Sequence, residues 1–220
     1  CPGGEAHIFV FRNDGNQNFV RMPDIALPGR LPHGLALAEV TGDNNIDIIT
    51  ALSDGMGVFP GNGNLTFGSP IISTTTPFKF KMADFNGDGL LDLGMIMQQS
   101  SFGTDLIGTA LGNGNGTFQA VRTQTGSSVL ENLRISNDLE PGDVNGDGTP
   151  DLVVFNYASN DVSVFIVNAD GSLRPHERYG IGNTPILGTL ADFDGDGRID
   201  VAASIRLPPS GLHNAIVLLR

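Results

Sequence analysis

The chain has 220 residues, with 24 Asp plus Glu against 12 Lys plus Arg and a formal net charge of −12. That balance argues against a nucleic-acid partner, whose phosphates it would repel, and no apolar run reaches the length needed to span a bilayer as a helix. Thirty Gly, 13 Pro, no Trp and a single Cys speak for short strands joined by tight turns, against long helices, and exclude an internal disulfide.

The one cysteine, Cys1, fits two readings: the lipid-bearing first residue of a processed lipoprotein, or a boundary of the sequence. After it, HIFVF and NFVRMPDIAL read as two strands around the turn RNDGNQNF, which starts at Arg12. From there two markers alternate. The first is an acidic turn: AEVTGDNNIDI from Ala38, ADFNGDGLLDL from Ala83, GDVNGDGTPDL from Gly142 and ADFDGDGRIDV from Ala191. The second is a Gly/Asn turn ending in an apolar residue: GNGNLTF from Gly61, GNGNGTF from Gly112 and, more loosely, NADGSL from Asn168. Short runs rich in Val, Ile and Phe lie between them, among them IDIITAL, GMGVF, DLVVFNY and VSVFIV.

The first acidic positions, Glu39, Asp84, Asp143 and Asp192, are separated by 45, 59 and 49 residues. The longest interval contains TQTGSSVLENLRISNDLE, which reads as an inserted polar loop with room for one helical turn. Each repeat becomes strand A, acidic turn, strand B, loop, strand C, Gly/Asn turn, strand D, which is the arithmetic of a propeller blade. The expected fold is all-β: one β-propeller segment of four-stranded antiparallel blades over residues 1–220, with about four repeats. Approximate bounds are 1–30 (partial), 31–75, 76–126, 127–180 and 181–220 (partial). A larger propeller, or one completed by strand pairing between molecules, stays open alongside a closed small ring.

Within each acidic turn, positions 1, 3, 5 and 9 carry side-chain oxygens and position 7 offers its carbonyl. The sets are Glu39, Thr41, Asp43, Asn45 and Asp47; Asp84, Asn86, Asp88, Leu90 and Asp92; Asp143, Asn145, Asp147, Thr149 and Asp151; and Asp192, Asp194, Asp196, Arg198 and Asp200. Hard oxygens on a flexible turn suit Ca²⁺, up to four ions in all, better than Mg²⁺. The fourth set holds four carboxylates and should bind most tightly. The first is expected to be weakest or empty, with Glu39 too long, Thr41 a poor donor and Asn44 in place of the bend glycine. An EF-hand is rejected, because position 12 holds residues such as Thr50, Met95 and Ala203 rather than a bidentate Glu. With all side-chain ligands on one local turn, the ion should staple strands A and B rather than bridge or regulate.

On these motifs the chain resembles the FG-GAP/VCBS repeat family, which includes the integrin α-subunit propeller. The resemblance is carried by ADFNGDGLLDL, GDVNGDGTPDL, ADFDGDGRIDV and LGNGNGTF. It implies a calcium-binding turn between the first two strands of each blade and a secreted or cell-surface setting. It also implies adhesion or the binding of a protein or glycan. The family's familiar seven blades exceed the four here.

Three functions are expected to compete: a secreted binding module, an accessory domain of a carbohydrate-active enzyme such as a polysaccharide lyase, and a subunit that self-associates through terminal strands. No catalytic set assembles. His7, His33, His176 and His213 are isolated, and there is no Gly-x-Ser-x-Gly, so the chain is not expected to be an enzyme. Asn64 and Asn115 match a glycosylation pattern but are explained by turn chemistry. Phe67, Phe85, Phe118 and Phe193 recur at repeat positions and read as inter-blade core.

Overall fold

The computed structural model describes residues 5–98, 105–124, 136–157, 159–182, 184–207 and 213–219. Cys1 and most of the polar insertion lie outside these residues. The chain divides into two compact units, one of residues 1–77 with 112–117 and one of 78–111 with 118–220.

In the first unit, β1 (Ala6–Ile8) pairs with β4 (Ile25–Leu27), and β2 (Phe11–Asn13) with β3 (Phe19–Arg21), all antiparallel. HIFVF and NFVRMPDIAL are therefore not two unbroken strands but one hairpin whose arms are each interrupted. Pro23 sits at the break in the second arm, where it cannot donate to a ladder; pairing persists one step before it, from Met22 N to Val10 O at 2.9 Å. A four-stranded antiparallel sheet follows in sequence order: β5 (Pro32–Ala38), β6 (Asp47–Leu52), β7 (Gly55–Phe59) and β8 (Ile71–Ser73).

The second unit repeats this plan. Its first sheet is β9 (Lys79–Ala83), β10 (Asp92–Gln98), β11 (Asp105–Ala110) and β12 (Arg122–Thr123). Next come β13 (Ser136–Gly142), β14 (Asp151–Asn156), β15 (Asp161–Phe165) and β16 (Glu177–Gly180), again in sequence order. A three-stranded sheet of β17 (Pro185–Ala191), β18 (Asp200–Leu207) and β19 (His213–Leu219) ends it. The end of the expected polar loop, residues 136–140, thus belongs to strand A of a sheet, Ser136–Gly142. Two-residue side-chain alternation places Leu139 in the core and Glu140 on the other side, within 2.6 Å of Lys81 on β9. The helical turn expected in this stretch falls on residues that are not described.

Core packing runs between successive sheets. Phe85, Ile96 and Ile107 meet Leu139, Leu152 and Val154. One step on, Val153 and Phe155 meet Leu190, Val201 and Ala203. Glycine makes the second contact feasible: a Cβ on Gly188 would stand 1.9 Å from Cζ of the fully buried Phe155. Phe85 is core, as its repeat position implies, and Phe67 and Phe118 are half-buried. Phe193 departs from them and is exposed.

Gly188→Ala should cost about 2 kcal/mol by urea denaturation, since an added methyl must displace a packed ring. Gly180→Ala, where a Cβ meets nothing within 4 Å, should stay within about 0.5 kcal/mol of the parent. Equal effects would contradict the packing described.

Candidate metal centre

Each acidic turn connects strand A to strand B of one sheet, and its geometry is repeated. The position-1 carboxylate is turned inward onto backbone amides. Asp84 Oδ1 accepts from Gly87 N (2.7 Å) and Asp88 N (3.1 Å), and its Oδ2 accepts from Gly89 N (2.8 Å). Asp143 accepts from Gly146, Asp147 and Gly148, and Asp192 from Gly195, Asp196 and Gly197, at 2.6–3.1 Å. Three amides can converge on one carboxylate because positions 4 and 6 both take positive φ, as in Gly87 (75°) and Gly89 (84°). The sequence reading singled out only position 6. These amides, Gly197 N foremost, hold the Asp192 carboxyl below its ordinary pKa.

The first turn keeps the plan with different parts. Asn44 takes φ 65° where the others have glycine. Glu39 gathers Thr41 N, Gly42 N and Asp43 N onto a single oxygen, Oε1. Thr41 Oγ1 donates to Asp47 Oδ1 at 3.3 Å, so this hydroxyl is engaged within the turn.

Position 3 and position 5 lie outward. Asn86 Nδ2 donates to Asp88 Oδ2 and Asn145 Nδ2 to Asp147 Oδ2, at 2.9 and 2.8 Å. Position-5 oxygens also accept the position-7 amide: Asn45, Leu90, Thr149 and Arg198 each donate their N–H to it at 2.8–2.9 Å. The Thr149 hydroxyl and then its amide hold the Asp147 carboxyl below the usual range.

Position 9 differs from all of these, because Asp47, Asp92, Asp151 and Asp200 are buried. Asp47 Oδ2 accepts from Val40 N at 2.9 Å and its Oδ1 from Gly61 N at 2.8 Å. Phe85 N donates to Asp92 Oδ2, Phe193 N to Asp200 Oδ2, and Val167 N to Asp151 Oδ1. The closing aspartate therefore ties the acidic turn to itself and, in the first and third repeats, to the Gly/Asn turn of the same sheet. Sequence reasoning took it for a ligand alone; its burial was the missing signal.

The Gly/Asn turns confirm their own chemistry. Asn64 Oδ1 accepts from Thr66 N and Oγ1, Asn115 from Thr117 in the same way, and Asp170 from Ser172. NADGS is thus the same turn as GNGNLT, with Asp for Asn and Ser for Thr.

Two observations bear on whether a cation fits. In the fourth turn, carboxylate oxygens of Asp192, Asp194 and Asp200 lie within 4.8 Å of one another; Asp196 is turned toward Arg198, Oδ2 to Nη1 at 3.8 Å. In the third turn, Asp151 Oδ2 is buried and has no hydrogen-bond partner among the described residues. Burial first, then the charges of Asp147 and Asp143, push the Asp151 carboxyl above its ordinary pKa, opposed by the Val167 and Val144 amides. The donor set, all oxygen and mostly carboxylate, suits a hard divalent cation. In the first three turns position 3 is Thr41, Asn86 or Asn145, so carboxylates are fewer there.

Residues 143–203, the third acidic turn through the fourth, match the family model of the FG-GAP-like repeat. The chain carries an FG-GAP-like repeat. Cartilage acidic protein 1 of Mus musculus is 28% identical over 209 residues, an alignment covering 82% of this chain and 31% of that protein. This chain thus spans about a third of the curated relative it matches. Among solved structures, an Agrocybe aegerita lectin studied for specific recognition of non-reducing terminal N-acetylglucosamine superposes with TM-score 0.59. It is 20% identical, over 90% of this chain and 57% of the lectin. BBS1N, solved in complex with ARL6DN, gives TM-score 0.50 at 12% identity, over 84% of this chain and 55% of that one. At these identities the likeness concerns fold: all-β and propeller-like, with four-stranded antiparallel sheets.

Among the described residues the histidines form no cluster that could hold a metal. His7 lies 3.8 Å from Asp24, His33 Nε2 is 3.1 Å from Pro77 O, and His213 lies in β19. His176 packs its ring 4.8 Å from that of Phe165. Burial first, then the Arg178 charge, lowers its pKa, with Asp161 opposing. The folded state therefore favours neutral His176: its contribution is complete above the unfolded value near 6.5 and declines as pH falls below it.

Two outcomes are expected. Asp47→Ala leaves the buried Val40 and Gly61 amides unpaired and should cost about 3 kcal/mol even in chelator; Asp194→Ala, at an exposed position, should cost under about 1 kcal/mol there. His176→Gln should lose less of its melting temperature than the parent between about pH 7.5 and about pH 5.5; an equal or larger loss would contradict the neutral assignment.

Proposed function

We propose that the chain is a calcium-stapled, extracellular propeller module that binds a protein or glycan ligand and catalyses nothing itself. The observation that carries the metal is the carboxylate trio of the fourth turn, placed on a scaffold that recurs in every repeat. Ca²⁺ would be held by Asp192, Asp194 and Asp200 there, by Asp84, Asn86, Asp88 and Asp92 in the second turn, and by Asp143, Asn145, Asp147 and Asp151 in the third. The first set, Glu39, Thr41, Asp43 and Asp47, is the weakest, since the Thr41 hydroxyl is engaged by Asp47. Bound charge would offset the burial, and then the repulsion from Asp147 and Asp143, that raise the Asp151 pKa, and would couple metal binding to folding.

The extracellular setting rests on the FG-GAP-like repeat and the cartilage acidic protein relative. Among the described residues, no helix is long and apolar enough to cross a membrane. Ligand binding as the role draws on the lectin of the same fold. Specificity in such a scaffold lies in the loops between strands.

Free Ca²⁺ at about 100 times a site's Kd should add about 2.7 kcal/mol of stability per site, seen as a melting transition raised by calcium and lowered by chelator. Asp194→Asn should weaken the tightest site in calorimetric titration. For the binding role, glycan and matrix-protein arrays probed with the chain in calcium should yield a ligand lost in chelator. An unchanged melting transition would end the staple, and blank arrays would end the binding role.

A further inference from the structure

Five Asn-Gly bonds lie in this chain: Asn62–Gly63, Asn86–Gly87, Asn113–Gly114, Asn115–Gly116 and Asn145–Gly146. Asparagine is thermolabile, and most so before glycine, which has no side chain to keep its nitrogen away from the asparagine side chain. In the reaction the glycine nitrogen gives its proton to water and its lone pair bonds to the asparagine Cγ, while the side-chain nitrogen leaves as ammonia. The cyclic imide so formed takes up one water and opens to aspartate or isoaspartate. Nothing is oxidised or reduced, and water is the only other reactant. A glycine N–H already given to an acceptor must break that bond before its nitrogen can attack.

The five bonds sit in different surroundings. In the second and third acidic turns the position-1 carboxylate takes the nitrogen in question: Gly87 N donates to Asp84 Oδ1 and Gly146 N to Asp143 Oδ1, both at 2.7 Å. The asparagine is pinned as well. Asn86 and Asn145 each hold the position-5 residue twice, accepting its N–H at Oδ1 and donating from Nδ2 to its carboxylate. The same position-1 carboxylates take Gly89 N and Gly148 N, and Asp192 takes Gly195 N and Gly197 N, at 2.6–2.9 Å. These glycines follow Asp88, Asp147, Asp194 and Asp196, and Asp-Gly bonds isomerise through the same imide. In these three turns, every glycine nitrogen that could cyclise onto a preceding Asn or Asp is therefore occupied.

The Gly/Asn turns divide. Gly116 N donates to Val40 O at 2.7 Å, so Asn115–Gly116 is held. Gly63 N and Gly114 N donate to nothing among the described residues, and both glycines stand at positive φ, 74° and 65°. Asn62 and Asn113 are exposed, and one side-chain bond restrains each, from Nδ2 to the Oγ1 of Thr66 or Thr117 at 2.8 Å.

We infer that Asn62 and Asn113 are the chain's first sites of spontaneous deamidation, and that the position-1 aspartates guard the acidic turns. They keep intact the Asn-Gly and Asp-Gly bonds that carry the turns' side-chain oxygens. The inference goes beyond the proposed function and does not rest on bound calcium: what protects is the carboxylate's hold on the glycine amides. Deamidation at Asn62 or Asn113 removes the donor that meets the threonine hydroxyl, and isoaspartate adds a carbon to the backbone. Ageing therefore loosens the Gly/Asn turns first and leaves the acidic turns whole.

Peptide mapping by mass spectrometry tests it, on the full chain incubated in chelator in warm, mildly alkaline buffer. Asn62 and Asn113 should convert at least about tenfold faster than Asn86, Asn115 and Asn145, the factor that one hydrogen bond on the attacking nitrogen supplies. Asp84→Ala should raise conversion at Asn86 by about tenfold and leave Asn145 slow, and Asp143→Ala should do the reverse. Each variant thus carries its own control against general unfolding. Rates at Asn62 and Asn113 no higher than at the other three would overturn the inference, as would a variant in which both or neither of Asn86 and Asn145 accelerate.

Discussion

A carboxylate buried at the first residue of strand B organises this chain. Asp47, Asp92, Asp151 and Asp200 each sit where an acidic turn re-enters a sheet, and each accepts at least one backbone amide. An amide left without that acceptor would stand unpaired in the interior, at a cost of about 1–3 kcal/mol. The aspartate thus fixes where the turn begins and, through Gly61 and Val167, where the Gly/Asn turn sits beside it. Strand register then follows, because the turn and the ladder start from one residue.

That arrangement concentrates negative charge. The position-1 carboxylate is stabilised by three converging amides, but the position-9 carboxylate beside it is buried, and in the third turn one of its oxygens has no partner among the described residues. Burial first, then the neighbouring charges of Asp147 and Asp143, pushes the Asp151 carboxyl above its ordinary pKa. A divalent cation is the economical answer, since it satisfies several oxygens at once and needs no further side chain.

Much of this was legible in the sequence, and the reasons are local. Asp-x-Asn-x-Asp-Gly announces its own backbone, because few other residues tolerate the positive φ at Gly87 and Gly89. Spacing of the acidic turns then gave the four-stranded unit. What escaped depends on partners distant in sequence. The tie from Asp47 to Gly61 spans fourteen residues and looks from the motif like one more ligand. Pro23 broke an arm that composition alone made continuous. Phe193 matches Phe85 in the motif but not in burial, since the neighbour that buries Phe85 has no counterpart over Phe193 among the described residues.

Native mass spectrometry of the 220-residue chain, dialysed against micromolar and then millimolar calcium, counts the ions directly. Three tightly held Ca²⁺ per chain are expected, with a fourth entering only at the higher concentration at the turn around Glu39. A chain that holds one ion or none at millimolar calcium would contradict the assignment of these turns as metal-bearing staples.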